Sequence, residues 1–175
     1  IWKTQIILWT YFFRSIHGMV FLGVEIWGKV GGTPMFLGTF EHRIDGKGRL
    51  VLPVRFRQSL DSIVYLTIGI ETCISIYAKD QWDIVLKKLE LLPFAKGTTR
   101  GLMRILLSSA HEIQIDTAGR ILLPPLLRSH AKLETDVVLV GVSDHIEIWD
   151  KSMWGKYRES ILEVLPSIAE GVDGF

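Results

Sequence analysis

Residues 44–57 read IDGKGRLVLPVRFR, and residues 115–128 read IDTAGRILLPPLLR. Asp45, Gly48, Arg49, Pro53 and Arg57 fall opposite Asp116, Gly119, Arg120, Pro124 and Arg128, each 71 residues on. Further along, Gly69, Ile74, Ile76, Tyr77 and Trp82 match Gly141, Ile146, Ile148, Trp149 and Trp154, each 72 residues on. One single-residue indel between Arg57 and Gly69 reconciles the two offsets. The chain is therefore a tandem duplication, and its fold is that of one unit written twice.

Each unit reads the same way. An alternating apolar strand enters Asp-x-x-Gly-Arg, where Gly48 or Gly119 can take a positive φ and turn the chain. A second strand, 49–52 or 120–123, runs into a proline suited to the start of a short helix, 54–60 or 125–131. Two strands follow in each unit, 64–68 with 74–77 and 137–142 with 146–148. A closing helix is predicted over 79–92, with Asp80 as its cap and Trp82, Val85, Leu86 and Leu89 on one stripe. Its counterpart over 152–165 aligns Trp154, Tyr157, Ile161 and Leu165. A connecting helix is expected over 98–110, after the breakers Pro93 and Gly97. Small four-stranded units rarely stand alone, so the two are expected to pair about a pseudo-twofold axis and bury both apolar faces.

At 175 residues the chain suits one ordinary domain or two small units sharing a core, and 48% hydrophobic with 22% charged residues marks it as globular. Cys73 is the sole cysteine, which excludes an internal disulfide and points to a reducing compartment. It lies in the alternating run ETCISIY and reads as a strand residue, not a nucleophile. The net charge of +1 is uninformative, but its distribution is not. Residues 43–57 hold five basic side chains (Arg43, Lys47, Arg49, Arg55, Arg57) against Asp45, while 114–128 hold only Arg120 and Arg128 against Asp116. Nucleic-acid footprints are local in this way.

Residues 1–34 are apolar and aromatic without clear period and end in a Gly/Pro cluster. The longest uncharged apolar-leaning run, 4–13, is about half of what a membrane-spanning helix needs. A small-residue cleavage site is also lacking. We expect Met35 to be the initiator and 1–34 to be upstream DNA read as protein, outside the fold. Trp27-Gly28 must be encoded TGGGGN, and Val30-Gly31 also contains TGGG if the Val codon is GTG. The two elements would then start ~10 base pairs apart, one duplex turn.

With Met-Phe-x-Gly at Met35 followed by HRIDGKGRLVLPVRFR, residues 35–165 resemble the MraZ family, regulators of the bacterial division and cell-wall cluster. The resemblance implies an α+β, mainly β fold: a duplicated AbrB-like swapped-hairpin β-barrel with pseudo-twofold symmetry and peripheral helices. On that reading 35–92 is the first repeat, 93–110 the connecting helix, 111–165 the second repeat and 166–175 a short tail. It further implies a ring-shaped homo-oligomer, cytoplasmic and nucleoid-associated. Its partner would be double-stranded DNA carrying TGGG-type promoter repeats.

Family analogy places DNA contact on Lys47 and Arg49. Independently, the Arg49 guanidinium is a planar fork matching guanine O6/N7, acceptors that a G-run repeats along the major groove. Lys47 suits phosphate or a second guanine, and Arg43, Arg55 and Arg57 read as phosphate-facing or structural. Asp45 is expected to hold Arg49 or the turn backbone. In the second copy Thr117 and Ala118 replace Gly46 and Lys47, so Asp116 with Arg120 is favoured as an ion pair fixing the hairpin. The five histidines (17, 42, 111, 130, 145) fall singly, with no ligand-like spacing, so neither metal nor other cofactor is expected. No paired base and nucleophile argues for catalysis, and neither a membrane nor a small-molecule substrate is implied. The rival reading is a protein-binding module on the same hairpin fold, antitoxin-like or an adaptor.

Overall fold

The structure is a computed structural model that describes Lys29–Val30 and residues 33–171. The leader reading of 1–34 and its codon argument therefore fall almost wholly outside the described residues. A two-residue ribbon, β1 (Lys29–Val30) with β2 (Thr33–Pro34), precedes the first unit.

That unit contains β3 (Phe36–Arg43), β4 (Arg49–Val51), α1 (Val54–Arg57), β5 (Ile63–Ile68), β6 (Ile74–Ala78) and α2 (Lys79–Glu90). Helix α3 (Gly97–Ser108) leads to the second unit. There the order recurs as β7 (His111–Gln114), β8 (Arg120–Leu122), α4 (Pro125–His130), β9 (Asp136–Ser143), β10 (His145–Asp150) and α5 (Lys151–Glu170).

The two units interdigitate. Six strands form one sheet in the order β3-β9-β10-β6-β5-β7, entirely antiparallel. Replace each strand by its counterpart in the other unit and that order reads backwards, so a pseudo-twofold axis passes between β10 and β6. Each unit's opening strand pairs with the other unit, β3 with β9 and β7 with β5. The short strands β4 and β8 form a separate ribbon in which Leu50 sits opposite Ile121.

The alternation seen in the sequence explains which faces are buried. Leu50, Leu52, Phe56, Ile121, Leu123 and Leu127, from the ribbon and the short helices, lie in one core with Val64, Leu66, Ile74, Ile76, Leu139, Ile146 and Ile148 of the sheet. Burying each such side chain contributes about 1.5–3 kcal/mol before chain entropy is counted. The sheet's other face is apolar at Cys73, Val138, Val140 and Trp149. Trp149 stacks on Tyr157 of α5 at 4.8 Å between ring centres, and Trp82 of α2 stacks on Tyr65 at 5.7 Å.

Three expectations are corrected. A closed barrel is absent among the described residues: β3 and β7 are sheet edges, and β4–β8 lies apart. Each hairpin is closed only at its turn, where in the first unit Ile44 bridges Leu50; beyond it Ile44 gives its N–H to Thr135 and Ile115 gives its N–H to Ser62, while β4 and β8 pair with each other. Asp80 does not cap α2, whose N-cap position is Ala78 and makes no side-chain bond. Asp150 does cap α5, accepting from the Ser152 and Met153 backbone N–H groups. Finally, α5 continues through Pro166 to Glu170 instead of stopping at 165. Proline already has a helical φ, so within an exposed helix it chiefly removes one backbone donor and crowds the preceding turn.

Candidate nucleic-acid interface

The two Asp-x-x-Gly-Arg turns are near copies. In the first, Gly48 N–H donates to the Asp45 carbonyl at 2.8 Å and Asp45 N–H to the Arg49 carbonyl at 2.9 Å. In the second, Gly119 donates to Asp116 at 2.8 Å and Asp116 to Arg120 at 2.9 Å. Both glycines adopt positive φ, +77° at Gly48 and +74° at Gly119, a region costly to side-chain-bearing residues.

Each turn is braced by its own carboxylate. Asp45 Oδ1 accepts from the backbone N–H groups of Lys47 (2.9 Å) and Arg49 (3.0 Å), while its Oδ2 receives Arg49 Nε (2.8 Å) and Nη2 (2.7 Å). Asp116 repeats this, with Ala118 and Arg120 N–H both at 2.9 Å and Arg120 Nε at 2.7 Å. The Arg49 backbone bond, joined by its guanidinium, holds the Asp45 carboxyl down to about 2, and Asp116 is lowered by the same kind of partners. The Arg49 fork is thus half committed. Its Nε–Nη2 edge belongs to Asp45, and with the side chain 32% exposed only the Nη1–Nη2 edge is left for a ligand.

The units also cross-pack at these turns. Leu52 N–H donates to the Gly119 carbonyl and Leu123 N–H to the Gly48 carbonyl, both at 2.9 Å. A Cβ at Gly119 would meet Arg57 of the first unit, with Cζ 2.6 Å away, and one at Gly48 would meet Arg128 of the second, with Cζ 3.2 Å away. Each guanidinium therefore lies over the other unit's turn, with its Nε buried and unpartnered among the described residues. Arg57, grouped by sequence with the contact residues, is half-buried packing here. Arg128, which the 71-residue register equates with Arg57, takes the matching place over the first turn.

Cross-packing redistributes the charge. The run of basic residues in 43–57 is divided between the two turns: Lys47 and Arg49 belong to the first turn, over which Arg128 lies, while Arg57 of α1 lies over the second, which carries Arg120. Only three residue pairs of ribbon separate the two turns, Arg49 opposite Leu122 and Val51 opposite Arg120. The turns are therefore close neighbours, and between them they carry five basic groups (Lys47, Arg49, Arg57, Arg120, Arg128) and two carboxylates. Lys47 at the first turn and Arg55 on α1 are exposed, as are the apolar Val51 and Leu122 of the ribbon and Val54 and Leu126 of the short helices. Arg43 stands apart at the end of β3, paired with Asp136 at 3.0 Å. The equivalents of Arg43, Lys47 and Arg55 in the second unit are Gln114, Ala118 and Leu126. Bracing residues are duplicated, and the exposed cations are not.

On the opposite face, Glu71, Cys73 and Glu147 bring possible metal-ligand atoms within 4.8 Å of one another. Burial raises the Cys73 thiol far above its usual range, and Glu147 already accepts from Trp149 at 2.9 Å. Among the described residues no helix is long and apolar enough to cross a membrane.

A family profile described as "MraZ protein, putative antitoxin-like" matches twice, over residues 35–105 and 106–170. The chain is 42% identical over 141 residues to the transcriptional regulator MraZ of Caldanaerobacter subterraneus, covering 81% of this chain and 99% of that protein. It is 42% identical over 138 residues to that of Desulfitobacterium hafniense (79% and 96%). With that of Pediococcus pentosaceus the identity is 41% over 141 residues (81% and 99%). With both halves matched and near-complete coverage of these relatives, the chain belongs to the MraZ family.

Proposed function

We propose that this chain is a sequence-specific, DNA-binding transcriptional regulator of the division and cell-wall gene cluster. It binds TGGG-type promoter repeats chiefly through the first turn, as a ring-shaped homo-oligomer in the cytoplasm and nucleoid, without catalysis. Its repeats, 35–92 and 111–165 joined through 93–110, act as one swapped-hairpin unit. The observation carrying this reading is the asymmetry between two otherwise matched turns: identical Asp–Arg braces, but Lys47 exposed at the tip of one and Ala118 at the other.

A braced arginine suits guanine recognition. Holding its Nε–Nη2 edge on Asp45 fixes the plane of the guanidinium, so the remaining edge meets O6/N7 with little further loss of freedom. Lys47 and Arg55 serve phosphates and fix register. One such surface per subunit is weak and salt-sensitive, and repetition around a ring at helical-turn spacing multiplies it. The names borne by the relatives support the regulatory part of the reading.

A protein-binding role is the second reading, favoured by the exposed apolar Val51, Val54, Leu122 and Leu126 of the ribbon and the short helices. Fluorescence anisotropy separates the two. Duplex carrying two TGGG elements one turn apart is expected to bind at least tenfold more tightly than a scrambled duplex. Lys47→Ala should weaken both and flatten the salt dependence. Equal affinity for the two duplexes, unmoved by Lys47→Ala, would leave the protein-binding reading standing.

A further inference from the structure

Two helical surfaces lack a partner within the described chain, and they complement each other. On α3, Arg100, Met103, Arg104 and Leu107 follow the spacing i, i+3, i+4, i+7, which places them on one face. With Phe94 they line an open depression of about 550 Å³. It is a built feature: Arg100 Nη1 donates to the Phe94 and Ala95 carbonyls, both at 2.9 Å, and its guanidinium lies 5.8 Å from the centre of the Phe94 ring. Phe94 nevertheless remains 70% exposed and Ile105 57%. No acid lies on α3.

The second surface is the distal half of α5. A helix of 20 residues is ~30 Å long, whereas the six-residue β10 spans ~20 Å, and no residue of α5 is buried. Leu162, Val164, Leu165 and Ile168 are all exposed there. Glu159, Leu162, Glu163 and Pro166 repeat the i, i+3, i+4, i+7 spacing with the opposite charge, and no basic residue follows Arg158 on this helix. Within one chain α5 packs on β9 and β10, and α3 on β5, towards the other edge of the sheet.

We propose that the acidic, apolar arm of residues 159–170 on one copy seats in the Phe94–α3 depression of the next, with Glu159 and Glu163 facing Arg104 and Arg100. Because groove and arm are different surfaces, the contact is heterologous: it propagates and closes into a ring where the rotation permits. This rests on the assembly proposed above and names the contact that builds it.

The test is the solution mass of the full chain by light scattering across a dilution series, with thermal melting as the folding control. Arg100→Glu with Arg104→Glu, and separately Glu159→Arg with Glu163→Arg, are each expected to raise the assembly's dissociation constant at least tenfold. The four changes together are expected to restore it. An assembled wild type indifferent to both reversals, or pairs that weaken it and fail to rescue each other, overturns this contact alone. A monomeric wild type overturns the assembly itself. Reversal on α3 that leaves the mass intact and lowers DNA affinity would give the groove to DNA and also overturn the proposal.

Discussion

Gly119→Ala and Gly48→Ala are the same substitution in twin turns, yet the structure assigns them different costs. At both positions an L-residue is forced to positive φ, which costs about 1–2 kcal/mol. The surroundings then diverge. At Gly48 the new methyl meets the tip of Arg128, Cζ 3.2 Å away and able to yield by a few tenths of an ångström. At Gly119 it runs into Arg57 along the side chain, Cζ at 2.6 Å and Cδ at 2.7 Å, so stem and head must both move. Displacing a side chain whose Nε is buried adds about 1–3 kcal/mol, as overpacking does. Gly119→Ala is therefore expected to cost about 2–5 kcal/mol and Gly48→Ala about 1–2 kcal/mol. For a chain of this size each kcal/mol lowers Tm by roughly 2–4 °C. Melting at a fixed protein concentration, repeated on Gly119→Ala with Arg57→Ala, checks the cause. In the Arg57→Ala background the penalty of Gly119→Ala should shrink to that of Gly48→Ala. Equal costs in the wild-type background, or an undiminished penalty without Arg57, would refute the cross-packing argument.

Two further predictions concern the sheet's helix-covered face. Burial disfavours the His145 imidazolium, but hydrogen bonds to Glu147 and Asp144 prevail and raise its pKa above the ordinary 6.5, with Tyr77 stacked on the ring. A raised folded pKa stabilises below the unfolded value and is lost as pH rises through the folded one. The urea midpoint should accordingly fall between pH 6 and 9 in wild type and fall less in His145→Gln; parallel profiles would contradict this. Cys73, fully buried with its thiol held protonated, should resist a thiol reagent at pH 7.5 in native protein and react on unfolding. Rapid native labelling, followed by absorbance, would contradict that burial.

Much of this was legible in the letters. The paired offsets disclose the duplication, the alternation discloses which strand faces are buried, and the glycine before each motif arginine discloses the left-handed turn. What could not be read is the exchange between units. Local periodicity says that Leu50 and Ile121 are buried but not that they oppose each other, nor that Arg57 lies over Gly119 of the other unit. In the sequence the basic run is one stretch, whereas cross-packing shares it between two turns. Helix ends differ from the sequence reading for local reasons: Asp150 caps α5, which begins at Lys151, one residue before the predicted start, and Pro166 is absorbed by an exposed helix. The sequence leads one to expect Asp45 to hold Arg49 or the turn backbone and Asp116 to pair with Arg120; the recurrence of the brace separates duplicated architecture from cations present in one copy only.

That separation supplies a matched control for the DNA reading. Arg49→Lys and Arg120→Lys both keep the charge and lose the planar fork, and both loosen an equivalent aspartate brace. The decisive measurement is the affinity of each for TGGG-repeat duplex at one salt concentration, alongside its melting temperature. Similar drops in Tm are expected from the two, with at least tenfold weaker DNA binding from Arg49→Lys and little change from Arg120→Lys. Equal losses of affinity from both, or none from Arg49→Lys, would contradict recognition through the first turn.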